Sequence, residues 1–434
     1  MGGRSGFCEA RSGRVVEPSK PRLWRVLGPG LITGAADDDP SGIATYAQAG
    51  AQFGFGLGWT LILTYPLMVA IQAICARIGR TTGLGIAANL RRYYPSWILQ
   101  GIVGLLFTAN VLNIGADLGA MAESVRLLVP VPPWLAVALF GVICAAGQVF
   151  LQHTRYVAVL KWCTLSLLAY FGTLAAVRVP WPDLVRGLVW PQWSLARDFW
   201  LTVVAILGTT ISPYLFFWQA AQEVEDTKAH PRRRPLLKEP RQGADALARI
   251  RTDTLVGMAF SNLVALAILT TAAVTLHTRG IQEVATAAQA AEALRPVAGT
   301  WAFVLFALGI VGTGLLSVPV LAGSAAYALG EARHWPVGLS RQPLQAKAFY
   351  GCIVLATGLG ALANVLQINP IRALVWAAVL NAIVAVPVMV MVMLLGARAE
   401  VMGEFRISRR LQFTGWGATA VMATAALVFL GSSF

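Results

Sequence analysis

Charge is what this sequence has least of: Asp, Glu, Lys and Arg together make up 12% of its 434 residues, against 57% hydrophobic ones. A soluble protein of that length cannot be so apolar, so the chain belongs in a membrane. Histidine is scarcer still: His153, His230, His277 and His334 lie scattered in or beside polar joints and form no HxxxH-type pair. The five cysteines, Cys8, Cys75, Cys144, Cys163 and Cys352, share no CxxC or other paired spacing, which argues against a disulfide framework and a zinc site. No clustered His or Cys and no nucleophile motif speaks for a membrane-embedded enzyme. The lack of any sizeable soluble domain likewise argues against a membrane-embedded metal sensor. No resident cofactor is expected.

What is present is a succession of apolar runs long enough to cross the hydrocarbon core, joined by short polar segments. Gly, Pro and charge boundaries divide them into about eleven spans. These are Leu23 to Gly54, Leu57 to Ile78, Trp97 to Val129, Pro133 to Leu151, Val157 to Val177, Trp200 to Ala221, Thr252 to His277, Thr300 to Gly330, Phe349 to Leu366, Ile371 to Leu395 and Phe413 to Leu430. The net charge of +14 would suggest a nucleic-acid partner in a soluble chain. Here the Lys and Arg fall in the joints and act as topology signals, so no nucleic acid is expected and the lipid bilayer is the partner.

Every second joint is rich in basic residues, among them Arg91 and Arg92, Arg232 to Arg234, Arg333, and Arg409 with Arg410. Retention of such joints in the cytoplasm puts the N-terminus inside and, with an odd span count, Phe434 outside an inner or plasma membrane. Residues 1–22 are basic and polar and are expected to form a cytoplasmic tail rather than a signal peptide. Gly6 stands where a myristoylation signal needs Ser or Thr, which excludes that modification at Gly2. The joint at residues 223–251, with its PRRRP and KEPRQG segments, is predicted to be a mobile cytoplasmic loop with a solvated face.

Two spans are interrupted. The first reads GPGLITGAADDDPSGIATYAQAGAQFG and carries Asp37, Asp38 and Asp39 inside an otherwise apolar run. A carboxylate at membrane depth costs several kcal/mol unless it meets a cavity, a partner or an ion, so an intramembrane acid reads as functional. Pro40 removes a backbone donor and Gly42 permits unusual dihedrals, so the helix is predicted to unwind there. Asp39 would then cap a new helix beginning at Pro40; a cap accounts for one acid of three. The sixth span is interrupted in LGTTISPYLFFWQ, where Thr209, Thr210 and Ser212 lead into Pro213. Two breaks five spans apart are the signature of an inverted five-helix repeat whose discontinuous helices meet at a midplane site. The repeats are placed at residues 23–177 and 200–395, with 411–431 as an additional transmembrane helix.

At Gly28-Pro29-Gly30, Asp39-Pro40-Ser41-Gly42, Ala44-Thr45 and Gln48-Ala49-Gly50-Ala51 the sequence resembles the natural-resistance-associated macrophage protein (NRAMP) family of divalent-metal transporters. The resemblance implies the leucine-transporter fold. It implies that Asp39 is the metal-binding aspartate, with Ala36 and Thr209 offering backbone carbonyls at the two breaks. Such hard oxygen ligands suit Mg²⁺, Mn²⁺ or Ca²⁺. Two positions depart from the family pattern: its DPGN asparagine is Gly42 here, and the methionine before the sixth-span proline is Ser212. Loss of the thioether weakens discrimination against Mg²⁺, and the smaller side chains predict a roomier cavity, so the pattern is similar to the NRAMP-related magnesium transporters. The expected metal set is Asp39, Ala36, Thr209, Ser212 and Asp38; Asp37, Gly42, Asp117, Tyr214 and Asn381 are expected to line the cavity.

The family's proton-coupled members carry a DxxE pair in the third span and a histidine after the Met-Pro pair. The matching positions are Asp117, Ala120 and Tyr214, of which Ala cannot titrate and Tyr, with an ordinary pKa of about 10, is a poor relay. Coupling through this route is expected to be weak or absent, although Asp117 remains and Glu123, a potential partner of Arg126, lies further along the same helix. Asn110 and Asn113 are read as interhelical hydrogen-bonders, and the same reading is preferred for Asn381. Gln48 fits either an outer vestibule or helix packing. The function expected is inward transport of a divalent cation, Mg²⁺ or Mn²⁺ favoured, by alternating access. The alternative from the same fold is a carrier of a small organic solute or amino acid, which three acids at the first break oppose.

Overall fold

The computed structural model describes residues 29–150, 168–295, 299–366 and 368–432. Among them the regular structure is entirely helical. The helices are α1 (Pro29–Asp37), α2 (Pro40–Phe53), α3 (Gly58–Thr82), α4 (Ile86–Tyr93), α5 (Ser96–Arg126), α6 (Pro133–Phe150), α7 (Leu168–Ala176), α8 (Trp181–Val189), α9 (Arg197–Thr210), α10 (Pro213–Ala229), α11 (Gly243–Thr275), α12 (Ala287–Glu292), α13 (Ala302–Ala332), α14 (Lys347–Ala363), α15 (Pro370–Ala397) and α16 (Arg409–Gly431).

Among the described residues, 9 helical segments are long and apolar enough to cross a membrane, making the chain an integral membrane protein. The first span escapes that count because three acids, Asp37 to Asp39, stand at the junction of α1 and α2, which are only 9 and 14 residues long. The fifth does so because the expected stretch 157–177 lies partly outside the described residues, which hold only its end as α7. The tail expected at residues 1–22, Cys8, Cys163, His153 and Arg155 also lie outside the described residues.

One segment departs from expectation. Of the joint predicted at 223–251, α10 continues as helix to Ala229 and α11 is already helical from Gly243. What lies between is tethered rather than loose. The Arg80 guanidinium, buried at the end of α3, donates to Thr227 Oγ1 at 3.0 Å, the Arg234 carbonyl at 2.9 Å and Gln242 Oε1 at 2.8 Å. The Leu236 and Leu237 amides donate to the carbonyls of Arg80 and Thr81. A hydropathy boundary marks where side chains turn polar; the backbone stays helical past it because helix formers such as Ala, Leu and Arg in ALARIR keep it so.

The half-helices are held by close backbone approach. Helix α11 packs along both α1 and α2, and α9 along α15. A Cβ at Gly34 would meet the Gly257 backbone, and one at Gly208 would overlap the Ala378 carbonyl and lie 2.7 Å from the Ala382 nitrogen. Small residues at such crossings let membrane helices associate without a hydrophobic driving force. They bring the two interruptions to the same level of the bundle.

Candidate metal-binding site at the paired helix breaks

The first break spans Asp38 and Asp39. Asp39 adopts an extended conformation (φ −70°, ψ 173°) and caps α2, with Pro40 at the first helical position. Its Oδ1 accepts from the Gly42 amide at 2.8 Å and from Ser41 Oγ at 2.6 Å. The second break is built likewise: α9 stops at Thr210, Ile211 and Ser212 leave helical geometry, and Pro213 opens α10. At each interruption a helix C-terminus, α1 or α9, lies beside the start of the next half-helix, and side-chain hydroxyls reach its last carbonyls. Those C-terminal ends carry partial negative charge and favour a cation.

Tyr214 joins the two breaks. Its hydroxyl lies 2.9 Å from the Ala36 carbonyl and 3.3 Å from Asp39 Oδ2, donating to one at a time. Thr209 is equally close: a Cβ on Gly42 would sit 3.2 Å from Thr209 Oγ1 and 3.4 Å from the Asp37 carbonyl. Asp39, Ala36, Thr209, Ser212, Tyr214 and Gly42, predicted from positions about 170 residues apart in sequence, therefore share one locus.

Asp37, Asp38, Asp39 and Asp117 are each at most 1% exposed. Among the described residues no ion pair reaches any of them. Asp117 on α5 accepts from Ser317 Oγ of α13 at 2.6 Å through Oδ2, while its Oδ1 has no hydrogen-bond partner. Several uncharged donors nearby, including Thr45 Oγ1 and Thr209 Oγ1, are also buried without a partner. Polar atoms so placed cost roughly 1–3 kcal/mol each, which marks the region as built for a polar occupant. Among the described residues no three His, Cys, Asp or Glu side chains converge as a metal-holding group. A cation at the breaks would instead draw on single carboxylates supplemented by carbonyl and hydroxyl oxygens.

Three expectations change in detail. Asp38, grouped with Asp39 from the sequence, sits with Asp37 instead: Ser261 Oγ on α11 lies 2.7 Å from Asp37 Oδ2 and 3.3 Å from Asp38 Oδ1. The Ser212 hydroxyl turns back on its own segment, donating to the carbonyls of Gly208 (2.8 Å) and Thr209 (2.9 Å). The space expected beside Gly42 is filled, because Thr209 and the Tyr46 ring close on it. Asn381 has the preferred role: it exchanges hydrogen bonds with Asn113 at 2.8 and 3.2 Å, joining α15 to α5. Asn110 likewise donates to the Leu321 carbonyl.

Side-chain contacts tie the helices together on either side of this locus. Toward the basic end, Thr33 Oγ1 bonds Gln219, the Gly30 amide donates to Asp253 Oδ2 at 2.7 Å, and Arg249 donates to Glu223 at 2.5 Å. At the opposite end, Gln48 takes the Val284 amide (2.8 Å) and donates to the Gln282 carbonyl, beside a cavity of about 550 Å³ reached by Asp198, Glu283 and Arg372. Gln48 thus ties α2 to the segment 282–284 at the rim of that cavity. Glu123 accepts from the Ala287 amide at 3.4 Å.

Residues 30–432 match the family described as natural resistance-associated macrophage protein-like. The chain belongs to that family. Among Nramp relatives, it is 29% identical over 324 residues to a protein of Ralstonia nicotianae named divalent metal cation transporter MntH, covering 71% of this chain and 70% of that one. In fold it is similar to the Eremococcus coleocola manganese transporter, solved with an aromatic bis-isothiourea compound, at a TM-score of 0.74 and 17% identity, with 95% of this chain and 88% of that one covered. It is also similar, with a TM-score of 0.58 and 15% identity, to the nucleobase-cation-symport-1 family transporter Mhp1 in a closed conformation, covering 94% and 89%. The leucine-transporter fold, with discontinuous first and sixth spans, is therefore the fold of this Nramp chain.

Sequence reasoning missed Ser261 and Ser317, the hydroxyls that meet the buried acids, and Tyr46. A lone Ser in an apolar helix carries no periodic signal. Tyr46 was within reach, since it follows Asp39 by seven residues and so repeats its face after two turns.

Proposed function

We propose that this Nramp chain carries a divalent metal cation across the membrane by alternating access, the ion binding where the two helix breaks meet. The ligands in this reading are the Asp39 carboxylate and the carbonyls of Ala36 and Thr209, with Ser212 and Tyr214 hydroxyls alongside. The single observation that carries it is the bridge from Tyr214 to both Ala36 and Asp39, which puts an acidic oxygen and a helix-end carbonyl within reach of one atom, in a region of four buried carboxylates with no ion-pair partner among the described residues. Relatives named as divalent metal cation transporters support the substrate class. An oxygen-only ligand set without thioether supports hard ions, Mg²⁺ or Mn²⁺, over softer ones.

Coupling to protons is weak in this reading. Ala120 supplies no titratable group, and Tyr214 already spends its hydroxyl on the two breaks. The five-helix halves, 23–177 and 200–395, would move about the site. An organic carboxylate as cargo would have to enter beside four acids, at a cost that nothing in the locus offsets.

The test is calorimetric titration of the purified chain with Mg²⁺, Mn²⁺ and Ca²⁺ in turn, paired with uptake into proteoliposomes. Saturable heat and flux with at least one hard divalent ion is expected. No heat and no flux with any of them would end the reading.

A further inference from the structure

We propose that Asp37 and Asp38, with Ser261 and Tyr46, form a second position for a hard divalent cation beside the one at Asp39. The proposal rests on the reading that the Asp39 locus binds a cation, and it adds a distinct set of ligands. Asp37 Oδ2 and Asp38 Oδ1 converge on a single hydroxyl, Ser261 Oγ, at 2.7 and 3.3 Å. One proton can serve only one of these oxygens at a time. The other oxygen of each acid, Asp37 Oδ1 and Asp38 Oδ2, is buried without a hydrogen-bond partner.

Tyr46 supplies an independent sign. Its side chain is 0% exposed and its hydroxyl has no hydrogen-bond partner. Its ring edge lies 3.5 Å from the Cβ position of Gly42, which is itself 3.4 Å from the Asp37 carbonyl. Two carboxylates, a serine hydroxyl and a phenol oxygen make a hard, all-oxygen set of the kind Mg²⁺ and Mn²⁺ take. Asp37 also ends α1, so the helix adds its negative terminus to the same place.

Charge balance points the same way. Asp37, Asp38, Asp39 and Asp117 carry four negative charges when ionised, and one divalent cargo offsets two. A second divalent ion offsets the remaining two charges and meets the unpartnered oxygens of Asp37 and Asp38.

The experiment is equilibrium dialysis of the purified full chain against Mn²⁺, with bound metal counted per chain, and electron paramagnetic resonance of the same samples. Wild type is expected to saturate at two Mn²⁺ per chain and to show dipolar broadening between neighbouring ions. The D37N/D38N double variant and Asp39→Asn should each retain one ion and lose the broadening. Should size-exclusion chromatography show the double variant misfolded, the wild-type stoichiometry and line width decide alone. Saturation of wild type at one unbroadened Mn²⁺ overturns the second position while leaving the Asp39 site intact; no bound Mn²⁺ in wild type sinks the transport reading instead.

Discussion

Asp39 does two jobs that two substitutions separate. As a cap it takes the Gly42 amide and the Ser41 hydroxyl on Oδ1; as an acid it presents Oδ2 to Tyr214 and, in the transport reading, to the cation. Asp39→Asn keeps an amide oxygen for the cap, and asparagine caps helices about as well as aspartate. Its NH₂ would face the Tyr214 oxygen, whose own proton still reaches the Ala36 carbonyl at 2.9 Å. The fold should lose little, with unfolding shifted by less than about 1 kcal/mol. Asp39→Ala removes the cap, costing about 0.5–2 kcal/mol, and the bond to Tyr214, worth about 0.5–1.5 kcal/mol; together roughly 1–3.5 kcal/mol. Both should lose the ion held at Asp39, and uptake with it, to the same extent, because both remove the charge. Thermal unfolding in detergent measures the first pair of quantities and Mn²⁺ titration the second. An Asn variant that binds and transports like wild type would mean that the carboxylate is only a cap.

Ser212→Met should raise affinity for Mn²⁺ or Cd²⁺ relative to Mg²⁺ by supplying a soft sulfur at the second break; competition titration reads it, and an unchanged preference means that this side chain does not reach the ion. Gly208→Ala should push α9 off α15, where the Ala378 carbonyl and Ala382 nitrogen leave no room for a Cβ, costing about 1–3 kcal/mol in unfolding together with lost uptake. Wild-type stability would show that the helices part freely. Asn113→Ala should leave the Asn381 amide buried and unpaired, at about 1–3 kcal/mol, and the N113A/N381A double variant should cost less than the sum of the singles; strict additivity in the cycle would mean that the pair does not couple.

Some of this site is legible from residues alone. Asp37 to Asp39 followed by Pro40, and Thr209 to Pro213, stand out because acids, hydroxyls and proline interrupt runs that lipid would otherwise keep apolar. Their meeting follows from the inverted repeat. What stays hidden is partnership across helices: nothing local tells that Ser261 belongs to Asp37 and Asp38, or Ser317 to Asp117, because those contacts join residues 200 or more apart. Helix ends are hidden for a different reason. Glu223 and Arg249 read as parts of a polar joint, yet they pair at 2.5 Å on the extended ends of α10 and α11, each satisfying the charge that made the other look solvated.

The short length of α1 completes the physical picture. A 9-residue helix has little stability of its own, since nucleation is costly and few bonds follow it. Its place is set from outside: the Asp253 carboxylate at its start, the Gln219 amide partnered with Thr33, the Gly257 backbone against Gly34, and Ser261 at its acidic end. Three of these, Asp253, Gly257 and Ser261, come from α11, which also runs along α2. An ion that neutralises the acids at the break therefore acts on the very end that α11 holds, and the energy of binding there can be felt along the helix that ties the two halves of the first span together.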